Sequence, residues 1–367
     1  MSRRLSIDGS VSITVDATNS HNRWFPDLDP VAEVEPGEEL VLELRDGMDG
    51  ELGPQASSAS LRSVNLDANH AMTGPVAVAG AEPGDVLEVD VLEVEPAGYG
   101  ATAVIPGFGL LGDRFEDPFL VRWEISDGIA RSPDLPGVAI RGAPFLGTIG
   151  VAPSAELLTR ADQRERAVTD RGEMALLPQA EGAAPRLEPY ASRGLRTIPP
   201  RENGGNLDIP QLTAGSRLLL RVHVDGALLS VGDAHFAQGE GESCGTAIEI
   251  QATARIRVGL RKAAVAAWVP SFPAYEFRTP PNAGPGRQFL ATTGICVGED
   301  GRNGSLEITT AARRALAELV DLLCATRGLT PEQAYVLSSV AADLRISEAV
   351  NVPNALVSAI LPLDVFE

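Results

Sequence analysis

The sequence predicts a mainly β fold, built from β-sandwich or barrel layers, with an α+β portion at the C-terminus. Three glycine turns, at Gly37, Gly84 and Gly215, each lead into a run that alternates apolar and polar residues, which is the pattern of a half-buried antiparallel strand. Near the C-terminus the apolar spacing changes to that of a helix. The 37 glycines and 27 prolines are spread along the 367 residues, which indicates many short turns.

Two consecutive helices are predicted near the C-terminus. In "TTAARRALAELVDLLCATRG", residues 309–328, threonines precede the apolar positions and Gly328 follows them. A second helix follows at once, with Thr330 as the candidate N-cap, Pro331 as the first helical residue and Gln333 three residues after the cap. The apolar face of the first helix consists of Leu316, Leu319, Val320 and Leu323.

Composition divides the chain into four predicted parts. Residues 1–150 form an N-terminal β-sandwich-like domain. Residues 151–200 are polar and rich in alanine and proline, with one short helix around 154–168; we interpret them as an irregular excursion that serves as a lid or an oligomer arm. Strands resume over 201–300, the β domain that carries the candidate site, and 301–367 form the helical α+β portion.

The charge of the chain narrows its partners and its location. Acidic residues outnumber basic ones by 50 to 30, which gives a formal net charge of −20. Such a field repels phosphate backbones and anionic lipid surfaces, so neither nucleic acid nor a membrane is an expected partner. The N-terminal segment lacks a secretory apolar stretch, and the longest apolar run is far below the ~20 residues that span a bilayer. We therefore expect a cytoplasmic protein.

The segment "GDAHFAQGEGE", residues 232–242, gathers metal-binding and proton-transferring groups at one turn. Asp233 and His235 are two residues apart, so on a strand both side chains lie on the same face and can meet one cation. Two glycines follow, and a glycine-rich bend can bring Glu242 back toward the histidine. The alternative interpretation is a polar hairpin tip whose acids face water.

A companion segment, "ENGGNLDIPQL" at 202–212, places Asn206 and Asp208 on one strand face beside two glycines. Because a single strand joins this segment to the histidine turn, the two segments are expected side by side. An ordinary Asn-Gly-Gly-Asn turn is the alternative. His223 lies between them on the polar face of an alternating strand and is expected to face solvent.

Two weaker polar clusters lie upstream. Asp67 and His70 stand in "NLDANHAMTGP", and His21 stands in "SHNRW". A single histidine in a loop usually makes local hydrogen bonds, so each cluster is weak by itself. Their combination with the 203–242 region is what suggests a functional site.

A metal explains these groups better than a nucleophilic side chain. The sequence contains no Gly-x-Ser-x-Gly elbow. Cys244 follows the acidic turn directly, but acidic surroundings raise the pKa of a thiol and disfavour the thiolate. A bound divalent cation lowers the pKa of its water and polarises a carbonyl, with a carboxylate such as Glu242 carrying the proton.

These motifs resemble those of the acetamidase/formamidase family of amide hydrolases. The strongest match is "GDAHFAQGEGESCGTAIE", residues 232–249, and the resemblance covers almost the whole chain. It implies a β-rich core, hydrolysis of a small neutral aliphatic amide such as acetamide or formamide to a carboxylate and ammonia, and a homo-oligomer of two or more subunits. The other matching blocks are "RENGGNLDIPQLTAGSRLLLRV", "NLDANHAMTGPVAVAGAEPGDVLEVDV" and "EQAYVLSSVAADLRISEAVNVPN".

The motifs, with the positions that the resemblance matches, suggest roles for individual residues. The residue types predict a divalent metal ion, with zinc favoured and manganese, iron, nickel or calcium left open. Glu240 stands where the family has an aspartate, so no ligand role is given to it. The assigned residues are Asp208, Asp233, His235 and Asp67 as metal ligands, Glu242 and His70 as catalytic groups, and Asn206, Gln238 and His21 as substrate-binding groups.

Two other functions stay open at this point. A protein of the same fold that has lost catalysis would bind a small molecule without turning it over. A purely structural calcium site would use oxygen ligands only, so a histidine on the cation would argue against it.

Overall fold

The structure is a computed structural model that describes residues 2–64, 66–173, 175–278, 287–350 and 354–367. Parts of the predicted segments therefore lie outside the described residues. Residues 351–353, which belong to the last matching block, are among them. The strands are β1 (Ser2–Leu5), β2 (Ser20–His21), β3 (Arg23–Trp24), β4 (Ala32–Val34), β5 (Glu39–Leu44), β6 (Met72–Val78), β7 (Val86–Val104), β8 (Phe119–Ser126), β9 (Ile129–Arg131), β10 (Ala139–Arg141), β11 (Phe145–Val151), β12 (Leu195–Arg196), β13 (Gly204–Asn206), β14 (Arg217–Arg221), β15 (Leu229–His235), β16 (Glu249–Arg261), β17 (Ala274–Glu276), β18 (Phe289–Ile295), β19 (Asp343–Glu348) and β20 (Leu356–Pro362). The α-helices are α1 (Ala155–Asp170), α2 (Tyr190–Arg193), α3 (Ile308–Arg327) and α4 (Pro331–Ala341).

The three strands predicted after glycine turns are present as β5, β7 and β14. Gly37, Gly84 and Gly215 have φ of +97°, +96° and +92°, a conformation that glycine adopts without steric cost. Every second residue of β5 is buried, as the alternation predicts. The prediction of a mainly β fold is confirmed.

Fifteen strands form one hydrogen-bonded network whose main path is β10-β9-β8-β7-β16-β15-β11-β13. The long strands change partners along one edge: residues 86–90 of β7 pair with β14, whereas residues 99–104 pair with β8. This exchange of partners lets one network bend into packed layers. The largest core cluster includes residues from these strands and from α3 and α4.

Two local predictions differ from the structure. The strand predicted to continue through His223 ends at Arg221, because the chain turns shortly afterwards; His223 is partly buried and lines a cavity beside Arg160 and Glu202. The strands of the companion segment and the histidine turn are not adjacent, since β11 lies between β13 and β15 and pairs with both, but the two segments still meet at Asp208 and His235.

The two C-terminal helices are confirmed. Gly328, at φ +67°, follows the last residue of α3, and the predicted apolar face of α3 is buried. Thr330 caps α4 and forms a reciprocal capping box with Gln333, with Pro331 at the first position. The helix α3 begins at Ile308, so the threonines lie inside its first turn and not before it. Helix α3 packs against β18 of the small antiparallel sheet β18-β20-β19.

The segment 151–200 contains the predicted helix as α1, whose N-cap is Ser154. Leu158 of α1 packs in a small core with Trp24 and Tyr190. The lid or arm role and the four domain boundaries stay predictions. Strands from 2–151 and from 204–276 share the fifteen-stranded network.

Within the described ranges, the helices are all too short or too polar to cross a lipid bilayer.

The capping box of α4 gives a stability prediction. Replacing Thr330 with alanine removes the side-chain oxygen that accepts from the Gln333 amide, so we expect the free energy of unfolding to fall by about 1 kcal/mol. Urea unfolding followed by circular dichroism measures it. Thr326→Ala is the matched control, because that hydroxyl bonds only within α3, to the Leu322 carbonyl. An equal loss in both variants would contradict the capping role.

Candidate functional site

The imidazole of His235, at the end of β15, is the centre of a buried polar cluster. Its Nε2 is 3.3 Å from Asp233 Oδ1 and 3.3 Å from Glu249 Oε2. Its Nδ1 is 2.8 Å from Gln238 Oε1, and the edge of the Phe145 ring packs against it with centroids 5.1 Å apart. The ring is therefore fixed, with Nε2 directed at two carboxylates.

Two overlapping groups of side chains have ligand atoms within 4.8 Å of one another. One contains Asp208, Asp233 and His235, which are three of the four predicted metal ligands. The other contains His235, Glu242 and Glu249. We call these five residues the His235 cluster. The glycine-rich bend thus does return Glu242 to the histidine.

The strand pairing brings the cluster together. His235 of β15 stands directly opposite Glu249 of β16. On the other edge of β15, β11 separates the strand from the Asp208 segment, but Gly147 of β11 has no side chain to fill the gap. A Cβ at Gly147 would be 2.7 Å from Asp208 Oδ1 and 2.9 Å from Asp233 Oδ2. Glycine at this position therefore allows the two carboxylates to approach across β11.

Gly47 makes room on a second side of the same cluster. A Cβ there would lie 2.0 Å from Asp233 Oδ1 and 2.7 Å from Glu249 Oε2. Real side chains do not tolerate such distances, so the backbone of the loop after β5 lies directly against these two carboxylates.

Three of the four clustered carboxylates stand on left-handed backbone. Asp208, Asp233 and Glu242 have φ of +46°, +53° and +41°, a region that residues other than glycine seldom occupy. Such conformations cost roughly 1–3 kcal/mol each and collect at functional sites. The surrounding structure therefore holds these side chains in directions that an ordinary strand would not give them.

Thr148 of β11 links two further predicted residues, His70 and Asn206, to the cluster. Its Oγ1 is 3.1 Å from His70 Nδ1, 3.1 Å from Asp233 Oδ2 and 2.5 Å from Asn206 Oδ1. His70 Nδ1 is itself 3.2 Å from Asp233 Oδ2, and the Asn206 amide donates to Asp208 Oδ2. His70 and Asn206 thus contact the ligand candidates directly.

Gln238 orients the central histidine. Its Oε1 accepts a hydrogen bond from His235 Nδ1, and its Nε2 donates to the Asp208 backbone carbonyl at 2.9 Å. A neutral imidazole held in this way carries its proton on Nδ1 and leaves Nε2 as a ligand atom.

Crowded negative charge shifts the pKa values of the cluster. Burial raises the pKa of Asp208 to about 6, with His235 opposing and Asp233 adding to the effect. Burial, followed by the charge of Asp208, raises the pKa of Glu242 well above its usual value. Burial acts to lower the pKa of His235, but Glu249 and Asp233 together raise it well above normal. The cluster takes up protons because it has an excess of carboxylates.

The histidines also hold one carboxylate ionised. Burial by itself would raise the pKa of Asp233, but His70 and His235 bring it well below its usual value. In return, Asp233 raises the pKa of His70 against the opposing effect of burial. Asp233 is therefore a charged ligand candidate between two imidazoles.

The donor set fits a divalent cation. Asp208 Oδ1 and Glu249 Oε2 are buried and accept no well-aligned hydrogen bond in the described part of the chain, although Glu249 Oε2 lies 3.3 Å from His235 Nε2. Buried carboxylate oxygens of this kind are unfavourable unless a cation or proton compensates them. One imidazole nitrogen with several carboxylate oxygens suits zinc, manganese, iron or nickel. A histidine in both groups argues against a calcium site with oxygen ligands only.

Three other polar residues that the sequence analysis considered, Asp67, His21 and Glu240, have partners outside the cluster. Asp67 Oδ1 accepts from Arg196 at 2.8 Å, and Asp67 belongs to neither ligand group. Both ring nitrogens of His21 are engaged, Nδ1 with the Arg23 carbonyl at 2.9 Å and Nε2 with Ser230 Oγ at 2.6 Å. Glu240 accepts from Gln211 Nε2 at 2.7 Å and also lies outside both groups.

Cys244 is poorly suited to act as a nucleophile. The thiol is buried, and burial is the main cause that raises its pKa. Its Sγ contacts backbone carbonyls of Ala103 and Thr246 at 3.6 and 3.5 Å. The sequence argument gave the right direction for this pKa, although it attributed the shift to neighbouring acids.

Glu249 and Thr148 are the site residues that sequence reasoning missed. Glu249 begins a strand in which every second residue is polar, so alternation gives it a solvent-facing position. It is buried because β15 and the loop at Gly47 cover this end of β16. Its place inside the matching block at 232–249 was the available signal.

The C-terminal portion braces the turn that carries Glu242. The amide of Gly239 donates to the Ser339 carbonyl at 2.8 Å, and the amide of Cys244 donates to Ser339 Oγ at 3.0 Å. The hydroxyl of Tyr335, also on α4, donates to the Ser243 carbonyl at 2.5 Å. One face of α4 therefore fixes both ends of this turn.

Comparisons with known proteins agree with the sequence motifs. The profile of the Acetamidase/Formamidase family matches residues 6–367. An acetamidase from Mycolicibacterium smegmatis is 37% identical over 365 residues, covering 90% of this chain and 88% of the relative. A formamidase from Methylophilus methylotrophus is 34% identical, covering 95% and 89%. The solved gamma lactamase from Delftia acidovorans superimposes with a TM-score of 0.93 at 33% identity, covering 100% of this chain and 94% of that one.

Gly47 offers a test of how closely the site is built. Gly47→Ala would push a methyl group against the Asp233 and Glu249 carboxylates. Since displacements of about 1 Å can cost roughly 100-fold in rate, we expect a loss of that order in kcat/KM for a small amide. Steady-state kinetics and thermal melting measure it. Gly98→Ala is the matched control, because its nearest neighbour would be 3.8 Å away; similar losses in the two variants would contradict the interpretation.

His21 gives a prediction about stability and pH. Burial lowers the pKa of His21 to about 4, whereas the unfolded value is near 6.5. The folded state therefore resists protonation, and stability is lost as the pH falls from about 6.5 to 4. We expect wild type to lose up to about 3 kcal/mol more than His21→Gln over this range, measured by urea unfolding at each pH. Parallel pH profiles for the two proteins would refute a neutral, buried His21.

Proposed function

Because the chain belongs to the acetamidase/formamidase family, we propose that it hydrolyses the non-peptide C–N bond of a small neutral amide at the His235 cluster. The products are a carboxylate and ammonia. The observation that supports this site best is the convergence of four carboxylates, two buried and two partly buried, on one oriented imidazole. Two of their oxygens have no hydrogen-bond partner among the described residues.

We further propose that the cluster holds a divalent metal ion, with zinc favoured. Asp208, Asp233 and His235 would supply one set of ligands, and Glu249 borders the same imidazole. When bound, such an ion polarises a carbonyl and makes water more acidic. The raised pKa values of His235 and Asp208 support the proposal, because protons now compensate charge that a cation can compensate instead.

Glu242 is proposed as the proton carrier. Burial, followed by the charge of Asp208, raises the pKa of its carboxyl well above the usual value, and a carboxylate whose pKa is raised is a stronger general base. In hydrolysis it would take a proton from water as the oxygen adds to the carbonyl carbon. It would return that proton to the nitrogen as the C–N bond breaks and ammonia leaves.

His70 is proposed as a second catalytic group. Its Nδ1 faces Asp233 Oδ2 at 3.2 Å, and Asp233 favours the charged imidazolium. The other ring nitrogen is then a donor, which would stabilise negative charge that develops on the substrate oxygen. Asn206 and Gln238 contact this group of residues through Asp208 and His235, so we keep them as proposed contributors to substrate binding.

The proposed substrate is a linear amide of the acetamide or formamide type. A cyclic amide is the second candidate, and it is favoured by the likeness of the whole chain to the gamma lactamase from Delftia acidovorans. The natural setting is proposed to be a cytoplasmic homo-oligomer. The exposed Trp268 and Phe272 side chains are compatible with subunit contacts, and the net charge of −20 disfavours anionic surfaces.

One experiment tests the metal and the reaction together. Elemental analysis of the purified protein and ammonia release from acetamide, formamide and a γ-lactam are measured for wild type and His235→Ala. We expect the variant to lose bound metal and at least 100-fold in kcat/KM, because the imidazole contributes to both ligand groups. His223→Ala is the control, since His223 is a partly buried histidine outside the cluster. Full activity after complete chelation would overturn the metal proposal, and Cys244→Ala would then be examined.

A further inference from the structure

A cavity of about 310 Å³ opens beside the His235 cluster, over the strands β7 and β16. Its lining includes the buried residues Leu52, Ala101 and Glu249, and its rim includes exposed residues such as Ala97. Glu249 belongs to the cavity and to the cluster at once, since its Oε2 is 3.3 Å from His235 Nε2. The cavity therefore extends from the surface to Glu249, the cluster residue that also lines it.

Three other cavities in the described part of the chain, beside Glu43, Tyr190 and His223, have volumes of about 350, 360 and 470 Å³. None of these three is lined by a residue of the His235 cluster. Size alone would favour the third, but contact with the reacting groups favours the cavity at Glu249.

The segment 46–54 forms the outer wall of the cavity. Asp46 lines it, and the next residue, Gly47, is the one whose added Cβ would lie 2.0 Å from Asp233 Oδ1. The hydroxyl of Tyr99 donates to the Leu52 carbonyl at 2.8 Å, which ties this segment to β7. The segment that lines the cavity therefore also contains Gly47, the residue packed against the cluster carboxylates.

The lining indicates the chemistry of the occupant. Leu52, Pro54, Ala97, Ala101 and the Tyr99 ring supply apolar surface. The acidic side chains of the described lining are Asp46 and Glu249, and this lining contains no basic residue. An apolar group gains from burial here, whereas an anionic group finds acidic neighbours and no counter-ion.

We propose that this cavity holds the acyl group of the substrate, and that the preferred substrates are neutral amides whose apolar acyl group is larger than acetyl. This inference rests on the proposed amide hydrolysis at the His235 cluster. The volume is at the lower end of the roughly 300–1,000 Å³ that small-molecule sites span. A water molecule takes roughly 30 Å³ in the liquid, and acetamide is only a few times larger than water. Acetamide would therefore leave most of the cavity unfilled.

The first test uses the unmodified enzyme and a series of primary amides: formamide, acetamide, butyramide and hexanamide, with anionic succinamate for comparison. Each methylene that becomes buried should raise kcat/KM roughly 4-fold until the cavity is filled. Succinamate should be a poorer substrate than butyramide. A flat or falling series from acetamide onward overturns the inference.

The second test narrows the cavity. Ala101→Val adds bulk to its floor, and the matched control is Ala103→Val, two residues further on the same face of β7. Both alanines are buried in the same apolar cluster, but only Ala101 lines the cavity. We expect Ala101→Val to lower the ratio of kcat/KM for hexanamide to that for formamide roughly 10-fold, and Ala103→Val to leave this ratio within two-fold of wild type.

The outcomes separate the two proposals. If no amide in the series releases ammonia, the proposed function fails. If formamide and acetamide are hydrolysed but longer chains gain nothing, and Ala101→Val leaves the ratio unchanged, the acyl-cavity inference fails while the proposed function stands. If Ala101→Val does not fold, as thermal melting would show, the chain-length series on the wild type decides.

Discussion

Mutual repulsion among four carboxylates, two of them buried and two partly buried, is the constraint around which this site is organised. Asp208, Asp233, Glu242 and Glu249 surround the ring of His235, in a region where charge is weakly screened and costly to bury without a partner. Two imidazoles beside Asp233 favour its ionised form, and burial with neighbouring charge raises the pKa of Glu242. A divalent cation would compensate the same negative charge.

The geometry that enforces this crowding comes from backbone and not from side-chain packing. Gly47 and Gly147 have no side chain where the Asp233 carboxylate lies, on two sides of it, and left-handed φ values set the directions of three of the carboxylates. The exchange of partners along β15, which pairs with β6 over one part and with β16 over another, ends the strand at the cluster. The strain is therefore concentrated where the chemistry is proposed, as is common at functional sites.

Sequence reasoning succeeded where local rules act alone. Glycine turns, alternating strands, the Thr330 cap and the Gly328 stop depend on neighbouring residues, and each is present. The pairing of Asp233 with His235 followed from strand periodicity, and the return of Glu242 followed from glycine flexibility. Alternation failed for Glu249, because burial of a polar face depends on a loop more than 200 residues earlier in the chain. Thr148 could not be predicted for the same reason. In the sequence it is a single hydroxyl in an apolar strand, and its role depends on contacts with three residues far away in the chain, His70, Asn206 and Asp233.

Hydrogen bonds that join Ser339 and Tyr335 to the turn at 239–244 make the C-terminal portion, residues 301–367, part of the support of the site. None of the proposed ligands comes from this portion, yet the turn that presents Glu242 rests on it. The β-rich part therefore depends on the C-terminal portion for the shape of its active turn. If that portion were exchanged, in evolution or by engineering, the α4 residues that contact the turn would have to be kept. Without them Glu242 would lose its support, although every proposed ligand would still be present in the sequence.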